Sequence, residues 1–576
     1  MDTEKNSPHP KYLIPAILLA LAAVFPACEM PGSKPAASLN TRGWEENAGT
    51  WYQIFTGSYY DSNGDGIGDL NGIALKLDYL NDSGSLRHKQ EIDLYGECNR
   101  SLHVDGIWLT PIMPSPSYHK YDTKDYKNID PSFGTLKDFQ NLLKKCHDHG
   151  IKLIIDLVMN HSSEQHPWFQ EALKEVRAGR PGRYASYYNF YYGATPPETY
   201  KFKTAESGGL SSYYKFWGRA AENAWFEGSF WTGMPDLNWD SKALRKEFEE
   251  VVDFWLSAGL DGFRLDATSW PYNYRGMDLQ NDGVHGDNKN IELWTWFNDT
   301  CKKINPNVYL VGECWEGSGT IANYYRSGMN FFAFDFSTQN GKQGTIYHGV
   351  TGHGKTFAST LEWWERTIKQ RNPGALAAPF LSNHDQTRSS MFLLDNERKM
   401  AASLLIFSPG TPFIYYGEEI GLTSPAYESP DANRRGPMYW SNANSAGRPD
   451  PPPEWNWWQM APAAGEGVEE QLQNENSLLR YYIRAGNLKK KYPWLAYASI
   501  ENLNKTGDEA VAAYRLRHEG KSIIVTHNTD YSNQKDINLP NARYYEGFSV
   551  HGWTDKGPFP GGVFSLPAYS TVVFSE

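Results

Sequence analysis

After residue 50, short apolar stretches rich in β-branched and aromatic residues alternate with longer amphipathic stretches. Eight of the short stretches predict β-strands, at residues 51–55, 104–110, 151–158, 262–266, 308–313, 331–336, 378–385 and 412–419. Between them, stretches such as 136–150 and 243–259 place apolar residues at helical spacing and end in glycine, as many helices do. Eight strand–helix units in this order predict an α/β fold built on a (β/α)8 barrel.

Two regions depart from this alternation. Residues 160–237 are rich in Tyr, Trp and Gly without helical spacing, which predicts an inserted B domain after the third strand. Residues 493–576 contain short alternating stretches typical of an antiparallel β-sandwich. The barrel is therefore predicted to comprise residues 49–159 and 238–492, with a loop insertion at 83–101 before the second strand.

Several predicted strands end in an acidic residue: Asp156, Asp266, Glu313 and Asp385. In such barrels the carboxyl ends of the strands surround the active site, so these acids are expected to converge. Any one of them alone is equally consistent with capping the next helix. Four such acids at the ends of predicted strands favour a shared active-site pocket over four separate helix caps.

Paired carboxyl groups about 5–5.5 Å apart are able to hydrolyse a glycosidic bond with retention of configuration. One attacks the anomeric carbon, while the other protonates the leaving oxygen and later activates water. Arg264 lies two residues before Asp266 and shares its side of the strand, so its charge is expected to lower the pKa of Asp266. Glu313, if less solvated, is expected to stay protonated and act as the acid.

Net charge and composition limit the kinds of partner that this protein is expected to bind. The formal net charge is −12, and no cluster of Lys and Arg follows a phosphate backbone, so nucleic acid is not an expected partner. The 21 Trp and 36 Tyr residues suit either a sugar-binding surface or a large aromatic core. The five cysteines form no CxxC pair and no zinc spacing, and the pairing of Cys98, Cys146, Cys301 and Cys314 stays open. A monomer is expected.

The first 48 residues predict export. Lys5 and Lys11 precede an apolar run, residues 12–27, which is too short to span a bilayer comfortably and indicates a signal peptide over residues 1–27. Ala27 followed by Cys28 resembles a bacterial lipoprotein cleavage site, with Cys28 carrying the lipid and residues 28–48 forming a tether. A cell-surface or periplasmic lipoprotein is therefore expected, with simple secretion as the alternative.

The stretch DSNGDGIGDLNG, residues 61–72, resembles the first half of an EF-hand loop. Side-chain oxygens stand at positions one, three, five and nine, which are Asp61, Asn63, Asp65 and Asp69. Position twelve is Gly72 where a calcium sensor needs a bidentate Glu. The stretch is therefore either a structural ion site in another fold or a turn.

Five motifs occur in order on or beside the predicted strands: DLVMNH (156–161), MPDLN (234–238), GFRLDATSW (262–270), VGECW (311–315) and FLSNHD (380–385). With them, nearly all of the chain after the tether resembles the α-amylase family of glycoside hydrolases. The resemblance implies the barrel, the inserted B domain and the C-terminal β domain. It also implies that Asp266 is the nucleophile, Glu313 the general acid/base, and Asp385 the residue that holds the distorted sugar.

The resemblance implies further site residues. Arg264, His161 and His384 would bind the sugar in the cleavage subsite, where Tyr121 would stack on it with His119 nearby. Asp431 and Arg435 would grip the next glucose. Calcium would bind in the loop through Asp61, Asn63, Asp65, the Ile67 carbonyl and Asp69, and a second calcium near Asn160 is a further option.

Ser269 and Trp270 stand where many endo-acting members carry Lys and His. The leading expectation is an α-amylase that hydrolyses α-1,4 bonds of starch-like glucans and maltodextrins. The alternative is an exo-acting or transferring relative, such as an oligo-1,6-glucosidase or maltogenic amylase. A non-catalytic glucan-binding protein or transporter subunit is the alternative from another class, disfavoured because all three acids are present.

Overall fold

A parallel sheet of eight short strands forms the centre of the fold. In spatial order the strands are Ala377–Ala378, Asn330–Phe332, Tyr309–Gly312, Gly262–Leu265, Lys152–Leu157, Gly106–Leu109, Trp51–Ile54 and Phe413–Tyr415. A parallel bridge between Phe380 and Phe413 joins the two ends of this order. The sheet is therefore a closed (β/α)8 barrel, and the predicted fold class is confirmed.

The computed structural model describes residues 49–82, 100–196, 202–203, 210–211, 216–272, 284–334, 337, 344–425, 430–456 and 462–576. The predicted signal peptide, the predicted lipidation site Cys28, the predicted tether and nearly all of the 83–101 insertion lie outside these residues.

The barrel strands are shorter than the apolar stretches that predict them. The predicted strand 412–419 is observed only over Phe413–Tyr415, followed by a 3-10 turn, Glu418–Ile420. Gly417 between them adopts a left-handed φ of 81°, which takes the chain out of the sheet. Apolar residues beyond the strand ends continue to be buried by other contacts, so hydrophobicity alone overestimates strand length.

Helices surround the barrel and account for the amphipathic stretches. They span Leu70–Leu75, Leu77–Leu80, Leu136–Asp148, Pro167–Arg177, Lys242–Ser257, Val284–Ile304, Ser318–Tyr324, Thr345–Val350, Gly354–Lys369, Asp395–Ile406, Val468–Gln473 and Leu478–Lys490. Thr135 and Asp138 form a capping box at the start of one of them, and Gly150 follows its end with a φ of 72°. The predicted helix 136–150 thus ends two residues earlier, before the glycine stop.

The region after the third barrel strand contains the short strands Phe190–Tyr192, Phe202–Lys203, Leu210–Ser211, Phe216–Ala221 and Ala224–Gly228. Its beginning and its end meet beside the barrel, where His161 and Asp236 form an isolated antiparallel bridge. Leu237 N also donates to Asn160 O at 2.9 Å. The excursion therefore leaves and re-enters the barrel at one place, next to the strand ends.

The C-terminal region is antiparallel, as predicted. One sheet consists of Ser499–Asn502, Val511–His518, Lys521–Asn528, Ser570–Ser575, Tyr544–Ser549 and Thr554–Pro558, and a second pairs Lys535–Asn538 with Val563–Leu566. An apolar core that includes Ile524, Leu539 and Phe574 draws residues from these strands and the loops between them. The exact boundaries of the domains remain predictions.

Three of the cysteines left open by the sequence, Cys146, Cys301 and Cys314, are buried free thiols. Cys98 lies outside the described residues. Among the described helices, none combines the length and the apolar character needed to cross a membrane.

Candidate active site

The Arg264 guanidinium lies at the centre of the carboxyl ends of the strands. It is fully buried, and its Nη1 is 2.7 Å from Asp266 Oδ1 and 3.0 Å from each carboxylate oxygen of Asp156. Its Nη2 is 2.7 Å from Glu313 Oε1. Arg264 and Asp266 point the same way because successive side chains alternate across a strand. Three carboxylates that follow or end three different strands therefore meet at one cation.

Glu313 is held from both sides. Its Oε2 accepts a hydrogen bond from the backbone N of Ala267 at 3.0 Å, and its Oε1 accepts one from Trp315 Nε1 at 2.8 Å. Ala267 adopts a left-handed φ of 48°, a conformation that costs a residue with a β-carbon about 1–2 kcal/mol. Burial raises the pKa of Glu313, as expected of a general acid.

The expectation for Asp266 is wrong in one respect. Burial raises the pKa of Asp266 above its ordinary value, and the Arg264 charge opposes this increase without cancelling it. The sequence reveals the neighbouring arginine but not the desolvation of a carboxylate that is only 8% exposed.

Asp385 is the most exposed of the three predicted catalytic acids, with 29% of its side chain accessible. Its Oδ1 accepts from Arg435 Nη2 at 2.8 Å, and its Oδ2 lies 2.9 Å from His384 Nε2. Burial alone would raise the pKa of Asp385, but His384 and Arg435 together hold it well below its usual range. Asp385 is therefore an anion throughout the neutral range.

Tyr121, His161 and His384 are brought together beside these acids. The rings of Tyr121 and His384 stack at 5.4 Å, and the Tyr121 hydroxyl lies 2.9 Å from Asp156 Oδ2 and 2.6 Å from His384 Nε2. His161 Nε2 lies 3.2 Å from the Tyr121 carbonyl. His119 Nδ1 accepts from the backbone N of Tyr121 at 3.2 Å. The predicted sugar-binding residues of this subsite thus form one wall.

Asp431 and Arg435, which are predicted to bind the next glucose, each also contact other residues. Their side chains approach only to 3.5 Å, whereas Asp431 Oδ1 accepts from Arg434 Nη1 at 2.8 Å. Arg435 is directed at Asp385 and at the hydroxyl of Tyr118, 3.0 Å away. Arg434 and Tyr118 are site residues that the sequence reasoning missed, and the neighbouring Arg434–Arg435 pair was the available signal.

An aromatic surface borders the same subsite. Phe230 is 39% exposed, and its ring lies 5.2 Å from His161 and 5.3 Å from Trp270. Trp270 is the residue that replaces the family's usual polar group. The sequence identified Trp270 but not Phe230, because nothing local marks an aromatic residue of the B region as facing the barrel. Trp315 lies in the VGECW motif, but the motif does not show that its side chain contacts Glu313.

The loop after the first strand is wound by hydrogen bonds to its own backbone. Asp61 Oδ1 accepts from the N–H groups of Asn63 and Gly64 at 3.0 and 2.7 Å, and its Oδ2 accepts from Gly66 at 2.8 Å. Asn63 Oδ1 and Asp65 Oδ1 make similar contacts two residues onward, with Asp65 N and Ile67 N. The predicted tight winding is present.

Asp69, one of the expected calcium ligands, also caps a helix. It is the N-cap of helix Leu70–Leu75, with Oδ1 accepting from Gly72 N at 2.7 Å and Oδ2 from Ser62 N at 2.7 Å. Within the described residues, no group of three His, Cys, Asp or Glu side chains is placed to hold a metal ion. The donors nevertheless suit a hard cation chemically, because they are all oxygen and no described Lys or Arg forms an ion pair with these carboxylates.

Near the B region, the Asn160 side chain points one amide hydrogen at Asp236 Oδ1, 3.3 Å away. Its buried Oδ1 accepts no hydrogen bond from the described residues. This oxygen is the only structural sign at the position expected for a second calcium.

The sequence and structure both have relatives among glucan-processing enzymes. The family described as "Alpha amylase, catalytic domain" matches residues 53–86 and 98–498. The "Alpha-amylase 3" of Dictyoglomus thermophilum is 34% identical over 492 residues, covering 84% of this chain and 85% of that protein. The "Oligo-1,6-glucosidase" of Bacillus cereus is 27% identical over 591 residues, covering 92% and 99%. A crystal structure of an α-amylase from H. orenii superimposes with a TM-score of 0.73 at 34% identity, covering 92% of this chain and 100% of the other.

The fold and these matches define a glycoside hydrolase or transferase that acts on glucans. The chain belongs to the α-amylase family.

Proposed function

We propose that this enzyme is a retaining α-amylase that cleaves α-1,4 bonds in starch-like glucans and maltodextrins. The observation that carries the proposal is the shared contact of Asp266 and Glu313 with the two terminal nitrogens of Arg264. This shared contact supports the assignment of Asp266 as the nucleophile and Glu313 as the acid, because double displacement needs two neighbouring carboxyl groups.

In the first step, Asp266 attacks the anomeric carbon as Glu313 gives its proton to the departing glycosidic oxygen. Arg264 binds Oδ1 of Asp266, which leaves Oδ2 to form the bond to the sugar. In the second step, Glu313 takes a proton from water, and the water oxygen attacks the anomeric carbon from the face that the leaving group left, while the bond between the sugar and Asp266 on the opposite face breaks. Two inversions give net retention.

Asp385 and the wall formed by Tyr121, His161 and His384 hold the sugar during both steps. Asp385 carries a full negative charge close to the ring, which favours the positive charge that develops in the transition state. Asp431 and Arg435 are proposed to contact the adjoining glucose.

Exchange of Glu313→Gln and Asp266→Asn tests the assigned roles. Each is expected to lower kcat/KM on maltodextrin by about a thousandfold or more, since both groups act in the transition state. On a maltosyl fluoride, whose leaving group needs no proton, Glu313→Gln should keep a rapid first step while Asp266→Asn should not. Asp253→Asn, an exposed helix carboxylate, is the control. Near wild-type rates in both active-site variants would contradict the mechanism.

A second candidate is an exo-acting or α-1,6-cleaving enzyme. Ser269 and Trp270 in place of Lys and His favour it, as does the likeness to an oligo-1,6-glucosidase. The two functions differ in their first products from long amylose: an endo-acting enzyme releases mixed oligosaccharides, while an exo-acting one releases only glucose or maltose. Pullulan and isomaltose, assayed in parallel, report on the α-1,6 bond.

The proposal includes calcium in the loop after the first strand, with Asp61, Asn63 and Asp65 as the side-chain ligands, completed by Asp69 and the Ile67 carbonyl. When bound, calcium would neutralise the loop carboxylates and fix the connection between the first strand and helix Leu70–Leu75. It takes no part in the bond-breaking steps.

We also propose that the enzyme is exported and that Cys28 is lipid-modified. The support is the apolar run ending at Ala27. Growth with a labelled fatty acid should label the wild-type protein and leave Cys28→Ser unlabelled. Equal labelling of the two would rule out the anchor, and release of unlabelled wild type into the medium would favour simple secretion.

A further inference from the structure

Three N–H groups face the side chain of Glu313: those of Trp315 and Ala267 are hydrogen-bonded to it, and that of Arg264 forms an ion pair with it. Arg264 Nη2 lies 2.7 Å from Oε1, Trp315 Nε1 lies 2.8 Å from the same oxygen, and Ala267 N lies 3.0 Å from Oε2. All three favour the ionised carboxylate, whereas the acid step needs Glu313 protonated. The strength of these contacts therefore decides how readily Glu313 gives and takes its proton.

The three donors are not equally fixed. Arg264 is fully buried among three carboxylates, and the Ala267 donor belongs to the backbone. Trp315 is different, because its ring is 41% exposed while its N–H end is bonded to an acid that is 5% exposed. Its ring packs against the buried Phe334 with a centroid distance of 4.7 Å. Trp315 is thus the donor that is open to solvent and to an incoming sugar.

We propose that Trp315 is a positioning residue for the general acid/base: its indole N–H fixes Oε1 of Glu313, and its exposed ring makes that contact responsive to the sugar bound beside it. The inference rests on the proposed role of Glu313. No other element of the site offers Glu313 a side-chain donor that is exposed, among the residues the structure describes.

The consequence for pH dependence has a definite sign. Burial, Asp266 and Asp385 raise the pKa of Glu313, while Arg264 and the Trp315 hydrogen bond lower it. Removing the indole N–H therefore raises the pKa of Glu313. Because the acid must be protonated to act, the alkaline limb of the kcat/KM profile reports its pKa and should move to higher pH.

Two substitutions separate the donor from the ring. Trp315→Phe keeps an aromatic ring and removes the N–H, so the alkaline limb should move upward by about 0.5 to 1 pH unit, from the size of a hydrogen bond to a charged group in a half-exposed setting. Trp315→Gln keeps an N–H donor of similar reach and removes the ring, so the limb should stay near its wild-type position while KM rises. Trp363→Phe, at a helix Trp of matched exposure, 43%, should change neither quantity.

The experiment is the pH profile of kcat/KM and KM on maltodextrin for the three variants, with thermal melts to confirm folding. The inference is supported if the alkaline limb moves to higher pH in Trp315→Phe but stays near its wild-type position in Trp315→Gln. An unmoved alkaline limb in Trp315→Phe overturns it, and equal shifts in the Phe and Gln variants do so too, because they show a packing effect. If Glu313→Gln is fully active, the proposed function itself fails. If Glu313→Gln is inactive and Trp315→Phe has a wild-type profile, only the present inference fails.

Discussion

Two groups of carboxylates lie beyond barrel strands and are stabilised in opposite ways. The acids proposed as catalytic, Asp266, Glu313 and Asp385, form one cluster with Asp156, named the catalytic cluster after that proposal. It is gathered from distant parts of the chain around the buried side chains of Arg264 and Arg435. The loop cluster, Asp61, Asp65 and Asp69, comes from one short segment and accepts hydrogen bonds from neighbouring groups of that segment.

The difference explains why only one cluster is suited to acid–base chemistry. Burial raises the pKa values of Asp266 and Glu313, whereas His384 and Arg435 hold the pKa of Asp385 low. Neighbouring carboxyl groups in this cluster therefore differ in how readily they bind a proton. The loop carboxylates are close to solvent or to backbone donors. None of them forms an ion pair with a Lys or Arg of the described residues. A similar density of acids thus supports catalysis in one place and local structure in the other.

The largest effect is expected from removing the centre of the catalytic cluster. Arg264→Met leaves buried carboxylates without their counter-charge, so kcat/KM should fall by about a thousandfold or more, and the free energy of unfolding by about 3–5 kcal/mol. Urea unfolding and maltodextrin hydrolysis measure the two quantities.

Adding Asp156→Asn to Arg264→Met provides the matched control. Burial raises the pKa of Asp156 to about 8 even beside Arg264, and loss of the guanidinium raises it further, so Asp156 is mostly protonated at neutral pH. The double variant should therefore regain part of the lost stability only at alkaline pH, and it should not regain activity. If Arg264→Met unfolds at the wild-type urea concentration, the guanidinium is not the charge that holds this cluster together.

The next largest effect concerns Arg435 and its salt bridge to Asp385. The low pKa of Asp385 keeps it ionised at every working pH, so the acidic limb of the wild-type kcat/KM profile reports Asp266, the proposed nucleophile, whose pKa is raised. Asp385 contributes to this limb only if its own pKa rises. Arg435→Met lets that pKa rise, so the acidic limb of the kcat/KM profile should move to higher pH, with a loss of about 10- to 100-fold at neutral pH.

Arg434→Met is the comparison for this variant, because Arg434 binds the Asp385 backbone carbonyl and Asp431 but not the Asp385 carboxylate. It should leave the acidic limb in place. Identical acidic limbs in the Arg435 and wild-type enzymes would show that His384 alone keeps Asp385 ionised.

A smaller effect is expected from the loop cluster. If calcium binds there, a chelator should lower the melting temperature by a few degrees, as expected for loss of a ligand present well above its dissociation constant. Asp65→Ala should melt at the lower temperature with or without chelator. If chelator does not change the melting temperature of the wild-type protein, the loop is a turn stabilised by its backbone hydrogen bonds and not by calcium.

The smallest effect tests Asp69 as a helix cap. Asp69→Ala should lower the free energy of unfolding by about 1 kcal/mol in the presence of chelator, because the Gly72 N–H loses its acceptor. Asp69→Asn retains an acceptor oxygen, so its free energy of unfolding should fall much less. Equal losses in the two variants would mean that the charge of Asp69, not its capping bond, stabilises the segment.

The sequence alone predicted those features that depend on near neighbours in the chain. The alternation of apolar and amphipathic stretches predicts the barrel, and strand alternation places Arg264 and Asp266 on one side. The spacing of Asp61, Asn63 and Asp65 predicts a tight loop, because their side chains reach backbone N–H groups only a few residues away. In each case the interacting groups are close in sequence, so a short pattern is enough.

Only the tertiary structure decided which of these groups meet and how far water is excluded from them. It directed Arg435 to Asp385 as well as to Asp431, made Asp69 a helix cap, and placed Trp315 on Glu313. It also reversed the expected pKa direction of Asp266, because desolvation depends on everything that surrounds a group in space. Strand ends brought together by barrel closure are distant in sequence, so no local pattern determines their geometry or their charge.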